Sequence, residues 1–463
     1  MAITPYHDDV VQYGDVQAEA GPSTPSYDPE ALALAPHHLL TAFPGLNVCA
    51  PMVRYSKLPF RALVSRYDSH INFTPMILAK EFSRSQGARD AEMSTNQWER
   101  GTYDLTPGVA EASASAQRLL EHKGKSREAD GDGMTSGEQR REAAADEAKA
   151  RSKRIRVRGA VVTQFASSTP KPLADACELV ANTVDGVDLN CGCPQKWAYD
   201  EELGCYLLRK PEIVRDMVRA VKARLGEDFC VSVKIRVDED LQLTDQLVRT
   251  ALHAGASILT IHGRTRHQAS THPVNLDAIK FAVDAANSCG FRTSRGSKGG
   301  AAAQFADGGS GGLVPCVANG DVWTLDEAIE WRRRTGASGA MSARGLLANP
   351  ALFAGYDKTP AEAVSLFTTL ATNWSLHTAL THRHLAYMLE SSFENRSEAI
   401  HFNSLNSVPA IHDWLGENGY LGGSLGRTHF DPLADFFGYR QPSKIADPLR
   451  IDEMLRGFGV VAV

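Results

Sequence analysis

The sequence predicts an α/β protein, a (β/α)8 TIM barrel followed by a smaller C-terminal helical domain. Short apolar runs rich in β-branched residues recur along the chain, and a segment of helical period follows each, which is typical of βα units around a parallel sheet. A count of eight such runs favours a closed barrel, although the count alone leaves a doubly wound sheet open. The predicted strands are residues 46–53, 72–79, 159–165, 186–190, 230–236, 258–262, 315–319 and 339–341.

The composition is that of an ordinary globular protein. With 463 residues, 43% of them hydrophobic and 22% charged, the chain can form one large domain and a smaller one, and is neither fibrous nor wholly disordered. The eight cysteines include no Cys-x-x-Cys pair, and the N-terminus lacks the basic-then-apolar order of a signal peptide. We therefore expect an intracellular protein, cytoplasmic, nuclear or both. No run approaches the roughly 18 apolar residues of a membrane span, so we expect no membrane anchor.

The charge is unevenly distributed along the chain. The formal net charge is −6, and residues 1–36 contain six acidic residues and no lysine or arginine. The remaining residues are therefore balanced, with 49 basic and 49 acidic side chains. A neutral body can still carry a basic face, so this balance neither supports nor excludes an RNA partner.

Changes in composition predict the domain boundaries. Residues 1–43 read as a disordered tail, 44–355 as the barrel, 356–435 as the helical domain and 436–463 as a C-terminal tail. Two low-complexity insertions interrupt the barrel. Residues 106–154 lack aromatic side chains and read as disordered or loosely helical, while residues 288–312 are glycine-rich. The basic end of the first insertion is either a solvated face or a phosphate contact.

Polar residues follow the predicted strands at the end where a barrel carries its active site. Lys234 lies within an apolar strand, where an unpaired ammonium is costly, so a functional role is favoured over an edge position. His262 could be a core histidine, but its place at a strand end, before Gly and Arg, favours function. The segments after the last two predicted strands, 319–321 and 342–345, would be turn signals alone, but together they occupy a common phosphate-binding position in barrels.

Cys193 is the strongest candidate for chemistry. Cys191 and Cys193 resemble half of a metal site, yet zinc needs about four ligands and no second pair stands at suitable spacing, so we expect no metal. A buried structural thiol is the ordinary alternative for any cysteine. The position of Cys193 between Gly192 and Pro194, in a polar loop at the catalytic end, favours a reactive thiol instead.

Several of these segments together resemble one enzyme family. They are Ala50-Pro51-Met52-Val53, Asp188-Leu189-Asn190-Cys191-Gly192-Cys193-Pro194-Gln195, Ile261-His262-Gly263-Arg264-Thr265 and Ala318-Asn319-Gly320-Asp321. In this order they resemble the tRNA-dihydrouridine synthases, from about Val48 to Phe353 and on into the helical part. Further segments resemble the eukaryotic branch that modifies D-loop positions 20a and 20b. These are Thr74-Pro75-Met76-Ile77, Ala88-Arg89-Asp90, Thr95-Asn96-Gln97 and Phe402-Asn403-Ser404-Leu405.

The resemblance implies an FMN-binding barrel that reduces the C5–C6 double bond of uridine in tRNA, with NADPH as electron donor. It implies a hydride from the flavin to C6 and a proton from Cys193, as general acid, to C5. Asn190 would lie beside the substrate base and Arg264 would contact substrate or RNA backbone. The implied flavin-binding residues are Pro51, Met52, Val53, Gln164, Lys234, His262, Asn319, Gly320, Asp321, Ala343 and Arg344.

The helical domain would hold the body of the tRNA through His377, His382, Arg383 and His384, and no stable protein partner is expected. One departure from the family pattern is Ala343, where relatives commonly have glycine before the arginine. Two alternatives stay open: an FMN barrel that reduces a small molecule such as a dihydropyrimidine or enone, and a catalytically silent RNA-binding relative.

Overall fold

The computed structural model describes residues 28–106, 108, 154–290 and 313–421. Residues 1–27, most of the two predicted insertions, the end of the predicted helical domain and the C-terminal tail lie outside the described residues. In chain order the strands are β1 (Leu32–Ala33), β2 (Leu46–Cys49), β3 (Ile71–Phe73), β4 (Ile77–Leu78), β5 (Thr102–Leu105), β6 (Ile155–Arg158), β7 (Ala160–Ala166), β8 (Gly186–Cys191), β9 (Val231–Arg236), β10 (Ile258–His262), β11 (Cys316–Gly320) and β12 (Gly339–Ser342).

The helices alternate with these strands through the barrel and then follow one another. They are α1 (Pro36–Ala42), α2 (Leu58–Val64), α3 (Ala79–Arg84), α4 (Gln86–Glu92), α5 (Pro170–Val180), α6 (Lys196–Asp200), α7 (Pro211–Leu225), α8 (Leu241–His253), α9 (Leu276–Ser288), α10 (Leu325–Thr335), α11 (Arg344–Ala348), α12 (Ala361–Asn373), α13 (Thr378–Leu389), α14 (Arg396–Ser404) and α15 (Val408–Glu417). No helix in this part of the chain combines the length and apolar character that a bilayer crossing requires.

The barrel is closed and parallel, as the sequence predicts. The strands pair in the order β3, β2, β12, β11, β10, β9, β8, β7, and β7 returns to β3. Every predicted strand is present, with ends shifted by a few residues. The second is split into β3 and β4, which both pair with β7. Pro75 stands in the break, where it cannot donate a ladder hydrogen bond.

Helix α10 illustrates how local sequence fixes the outer layer. Thr324 and Glu327 form a reciprocal capping box at its start, and Gly336 adopts a left-handed conformation with φ 73° at its end. Leu325, Ala328 and Trp331 recur at three-residue spacing and are buried against the barrel. Capping and amphipathic spacing in its own sequence therefore account for this helix.

The predicted N-terminal tail is too long. Strand β1 and helix α1 lie within it, and Leu39, Leu40 and Phe43 are buried with Leu46 and Val48 of β2 in one apolar cluster. The first 30 residues are acidic and contain several prolines. Their composition extended the predicted tail over this short apolar segment. The residues from 32 onward therefore belong to the folded body.

A small second sheet was not predicted. Strand β6 pairs with β1 in parallel and with β5 antiparallel, so that Leu105 lies opposite Ile155. Gly159 alone separates β6 from β7, and so this sheet lies at the N-terminal end of the barrel strands. The two ends of the predicted first insertion are thus brought together, away from the catalytic end.

The C-terminal region is helical, as predicted, and packs on the barrel. Helix α12 contacts α2, and α13 contacts α11. His384 of α13 lies in this junction, with its ring centroid 4.8 Å from that of Phe60 and 4.9 Å from that of Phe367. Burial lowers the pKa of His384 to about 3. Its expected contact with tRNA is therefore wrong, because a buried neutral ring cannot pair with phosphate.

Candidate active site

The barrel brings most of the predicted site residues together at the C-terminal ends of its strands. In the strand register Asn190 lies opposite Lys234, and His262 lies opposite Arg236 on one side and Asn319 on the other. Four neighbouring strands thus contribute polar side chains to one opening. This is the end at which a TIM barrel carries its chemistry.

A buried amide and carboxylate network shapes the loop after β8. Gln164 donates from Nε2 to Oδ2 of Asp188 at 2.7 Å, and Asn190 donates from Nδ2 to Oε1 of Gln164 at 2.8 Å. Oδ1 of Asn190 accepts the backbone N–H groups of Gly192 at 3.0 Å and Cys193 at 2.9 Å. Burial raises the pKa of Asp188 to about 6. Asn190 therefore fixes the backbone that presents Cys193.

The thiol of Cys193 sits in a closely packed turn. The N–H of Cys205 donates to the carbonyl of Cys193 at 3.0 Å. Gly204 adopts φ +60°, and a Cβ there would lie 2.6 Å from that carbonyl oxygen and 2.7 Å from the Cβ of Cys193. Only glycine permits this approach. Cys193 is partly exposed, whereas Cys191 and Cys205 are buried.

Burial raises the pKa of the Cys193 thiol, and the positive charges of Arg236 and Lys234 oppose the rise without cancelling it. The thiol is therefore protonated at neutral pH and can donate a proton. The same cations would stabilise the thiolate that remains after the transfer. Both properties are what a general acid requires.

Cationic side chains crowd the opening. Burial and the neighbouring Arg236 lower the pKa of Lys234 to about 8. Burial lowers the pKa of His262 well below its usual value, and the charges of Lys234, Arg236, Arg264 and Arg344 lower it further. His262 is therefore neutral at physiological pH. The excess of positive charge around it suits an anionic ligand.

Asp321 binds two of these cations. Its carboxylate accepts hydrogen bonds from Arg264 and Arg344. Burial acts to raise the pKa of Asp321, but the two arginines outweigh it and hold the pKa below its usual value. The Arg264 side chain is 3% exposed and also donates to the carbonyls of His272 and Ser270. The expected contact of Arg264 with RNA backbone is not available in this arrangement, because its guanidinium is enclosed by protein acceptors.

The loops after β11 and β12 approach each other closely. Asn319 donates from Nδ2 to the carbonyl of Met341 at 3.1 Å, and Ser342 donates to the carbonyl of Val322 at 2.7 Å. A Cβ on Gly345 would lie 2.1 Å from that Val322 oxygen. The predicted phosphate segments, including Gly320, Ala343 and Arg344, therefore share one compact corner.

The loop after β2 is fixed from below. The N–H of Met52 donates to Oγ of Ser56 at 2.9 Å, and Arg61 donates to the Ser56 carbonyl. Arg61 forms a fully buried ion pair with Glu99. Pro51 and Met52 are held near the opening by this turn, while the Val53 side chain is half exposed.

Three features of the rim were not singled out from the sequence. The guanidinium carbon of Arg266 lies 3.2 Å from the ring centroid of Tyr199, beside the Cys193 loop. Trp197, in helix α6 after β8, and Trp323, in the loop after β11, are both exposed. The sequence signal that could have identified the two exposed positions is a tryptophan in a polar segment shortly after a predicted strand.

The fold and the site define a class of protein, a TIM barrel with a partly exposed thiol and a cluster of cationic side chains at the C-terminal ends of its strands. A family profile described as dihydrouridine synthase (Dus) matches residues 48–106, 132–288 and 310–409. The chain belongs to the dihydrouridine synthase family, a family of oxidoreductases, as the resemblance predicted.

Individual relatives support the predicted branch. The chain is 36% identical to the tRNA-dihydrouridine(20a/20b) synthase of Schizosaccharomyces pombe, over 81% of this chain and 87% of that protein. It is 35% identical to the tRNA-dihydrouridine(20a/20b) synthase-like protein of Homo sapiens, over 81% of this chain and 90% of that one. The tRNA-dihydrouridine(16/17) synthase of Saccharomyces cerevisiae is 25% identical over 66% of this chain and 54% of its own length. The resemblance to the 20a/20b branch is confirmed.

Proposed function

We propose that this protein is an FMN-dependent tRNA-dihydrouridine synthase that reduces the C5–C6 double bond of uridine at D-loop positions 20a and 20b, with NADPH as electron donor. The single observation that carries the proposal is the partly exposed Cys193 thiol at the C-terminal ends of the strands, in a loop whose backbone Asn190 fixes. The names of the related enzymes, which specify tRNA, positions 20a and 20b and NAD(P)+, support the substrate and donor. A tRNA substrate implies work in the cytoplasm, the nucleus or both.

The residues at the opening fit FMN by their chemistry. Its phosphate is a dianion, and the corner around Asp321 offers the partly exposed Arg344 and a close pair of loops. Lys234 is a partly buried cation without a carboxylate within ion-pair distance among the described side chains, and it suits an anionic ring. The residues that would hold the flavin are Pro51, Met52, Val53, Gln164, Lys234, His262, Asn319, Gly320, Asp321, Ala343 and Arg344.

Asp321 would act indirectly in this set. A carboxylate repels phosphate, so its contribution would be to orient Arg264 and Arg344 rather than to touch the ligand. Arg344 is the more exposed of the two, so an anion could reach it by competing with Asp321 for the guanidinium.

Reduction of uracil requires a hydride at C6 and a proton at C5. The reduced flavin, when bound, supplies the hydride. Cys193 then donates its thiol proton to C5, since burial keeps this thiol protonated at neutral pH. Lys234 and Arg236 stabilise the resulting thiolate until solvent returns the proton.

The target base must leave its stack to reach this opening. Such a flip costs a few kcal/mol and least in a loop, so a D-loop uridine is a suitable target. Asn190 would lie beside the base, although its amide is already engaged with Gln164 and the Cys193 loop. Its contact with substrate would therefore be secondary to its role in presenting the acid.

The helical region would bind the body of the tRNA. Arg383 and Arg396 line a cavity of about 500 Å³ together with Tyr387 and Asn403. His377 is exposed at the start of α13, and His382 is partly buried and contacts the carbonyl of Phe402 at 2.9 Å. Of the four side chains expected to contact tRNA, Arg383 and His377 are the accessible ones.

The decisive test is a site-by-site map of dihydrouridine in tRNA from cells that lack this protein, complemented with wild type, Cys193→Ala or Cys289→Ala. Cys289 lies at the end of α9, outside the site, and serves as a matched cysteine control. We expect loss at positions 20a and 20b, restored by wild type and Cys289→Ala only. Purified Cys193→Ala should retain FMN and reduce tRNA roughly 10²–10⁴-fold more slowly. An unchanged map would favour the small-molecule reductase.

A further inference from the structure

The rim of the active site exposes two large aromatic side chains. Trp197 is 46% exposed and Trp323 is 42% exposed. The other four tryptophans of the chain, Trp98, Trp331, Trp374 and Trp414, are buried or partly buried. An exposed tryptophan presents a large flat ring to solvent, and its face is available to stack against a ligand.

Both tryptophans lie in segments that follow barrel strands at the predicted catalytic end. Trp197 lies in α6, four residues after Cys193. Trp323 lies two residues after Asp321, immediately before the Thr324 cap of α10. Since β8 and β11 are separated by two strands in the barrel, the two rings stand at well-separated points of the rim. A ligand that contacts both must extend across the opening.

Cations accompany each ring. The guanidinium carbon of Arg344 lies 5.5 Å from the centroid of the Trp323 ring. The exposed Lys196 precedes Trp197, and Arg266 stacks on Tyr199 two residues further on. Aromatic faces beside cations are the surface that single-stranded nucleic acid requires, because bases stack on the rings while cations meet the phosphates.

We propose that Trp197 and Trp323 are stacking platforms for the unpaired nucleotides on either side of the target uridine. The inference rests on the proposed function, because it assumes an RNA substrate whose target base is drawn into the barrel. Extraction of one base unstacks its neighbours, and two rings on the rim would restore that lost stacking. The occupant is therefore the single-stranded part of the D-loop.

The test compares Trp197→Ala, Trp323→Ala and the double variant with wild-type holoenzyme, using transcribed tRNA that carries uridine at 20a and 20b. Leu179→Ala is the matched control, since Leu179 is 51% exposed on α5, outside the rim. We expect each tryptophan variant to raise the tRNA Kd and KM roughly five- to 100-fold with little change in kcat. Trp197→Phe keeps a ring and should recover most of the affinity.

Two readouts separate a stacking role from damage to the fold. FMN content and the rate of NADPH-driven flavin reduction without tRNA should equal those of wild type in every variant. Quenching of tryptophan fluorescence by tRNA should fall in each single variant and nearly vanish in the double variant. Equal quenching in the double variant and wild type would contradict the proposal.

The outcomes also separate this inference from the proposed function. If wild type reduces tRNA and the double variant binds it within twofold of wild type, only the stacking role is overturned. If wild type neither binds nor reduces tRNA, the proposed function falls as well. If the substitutions instead convert a dimer into a monomer in sedimentation, the rings cover a second copy of this chain, and the proposal is overturned.

Discussion

Two arginine–carboxylate systems in this barrel are built differently. Arg61 and Glu99 lie in the wall, where Arg61 also donates to the carbonyls of Ser56 and Ser94 and Glu99 accepts from Thr95 and the N–H of Asn96. Both side chains are almost fully buried. In this wall pair, every charged group already has its partners within the protein.

The opening at the C-terminal ends of the barrel strands, here called the mouth, has the opposite balance of charge. Asp321 serves both Arg264 and Arg344, and Lys234 and Arg236 add positive charge that this carboxylate does not neutralise. Repulsion between these like charges destabilises the folded protein, and an anion bound among them would offset that repulsion. The wall pair is therefore complete as folded, whereas the side chains at the opening keep an excess of positive charge.

The largest effect should come from the wall pair. Glu99→Gln leaves the buried Arg61 charge without its partner and should lower the free energy of unfolding by about 3–5 kcal/mol. Urea denaturation with circular dichroism measures the change. Lys280→Ala, which removes an exposed pair with Asp284, is the control and should change stability by about 0.5 kcal/mol or less. Equal effects would remove the distinction between the wall pair and a surface pair.

A smaller effect is expected from Lys234 at the mouth, where substitution should leave the free energy of unfolding unchanged or raise it. Lys234→Met removes a partly buried cation from beside Arg236, so the apoprotein should be as stable as wild type or more stable. FMN binding should weaken roughly ten- to 100-fold, because a charge-assisted contact is lost. Flavin fluorescence titration gives the Kd. A destabilised variant with unchanged FMN affinity would assign Lys234 to the structure rather than the site.

The smallest effect is a pH dependence of the same lysine. Its pKa is lowered to about 8, below the unfolded value, so the folded protein binds fewer protons than the unfolded chain from about pH 8 to 10. The stability of the apoprotein relative to Lys234→Met should therefore rise with pH in this window, while wild-type FMN affinity falls as the charge is lost. Denaturation and FMN titration at pH 7, 8, 9 and 10 measure both trends. If the stability difference from Lys234→Met and the wild-type FMN affinity are both constant over this range, Lys234 does not titrate between pH 7 and 10.

The barrel was predictable because its strands are buried on both faces. Such strands read as apolar runs, and β10, the predicted 258–262, was located to the residue. The ends of parallel strands meet, so Lys234, His262 and Asn319 could be brought together from their places in the sequence alone.

Other features depend on contacts that a sequence does not display. Strands β1, β5 and β6 have two to four residues each and pair across a long insertion, so no local period reveals them. His384 was expected to contact tRNA, and Arg264 was expected from the family resemblance to contact substrate or RNA backbone. Their burial depends on α2 and on Asp321, which lie far away along the chain.

The small sheet at the base of the barrel has a consequence for protein engineering. Leu105 and Ile155 face each other across an antiparallel ladder, so these two positions of the chain stand side by side. The free energy cost of closing a flexible loop between two such positions rises by only roughly 0.6 kcal/mol for each doubling of loop length. A reporter domain inserted between them should therefore be tolerated, at the end of the barrel opposite the predicted site.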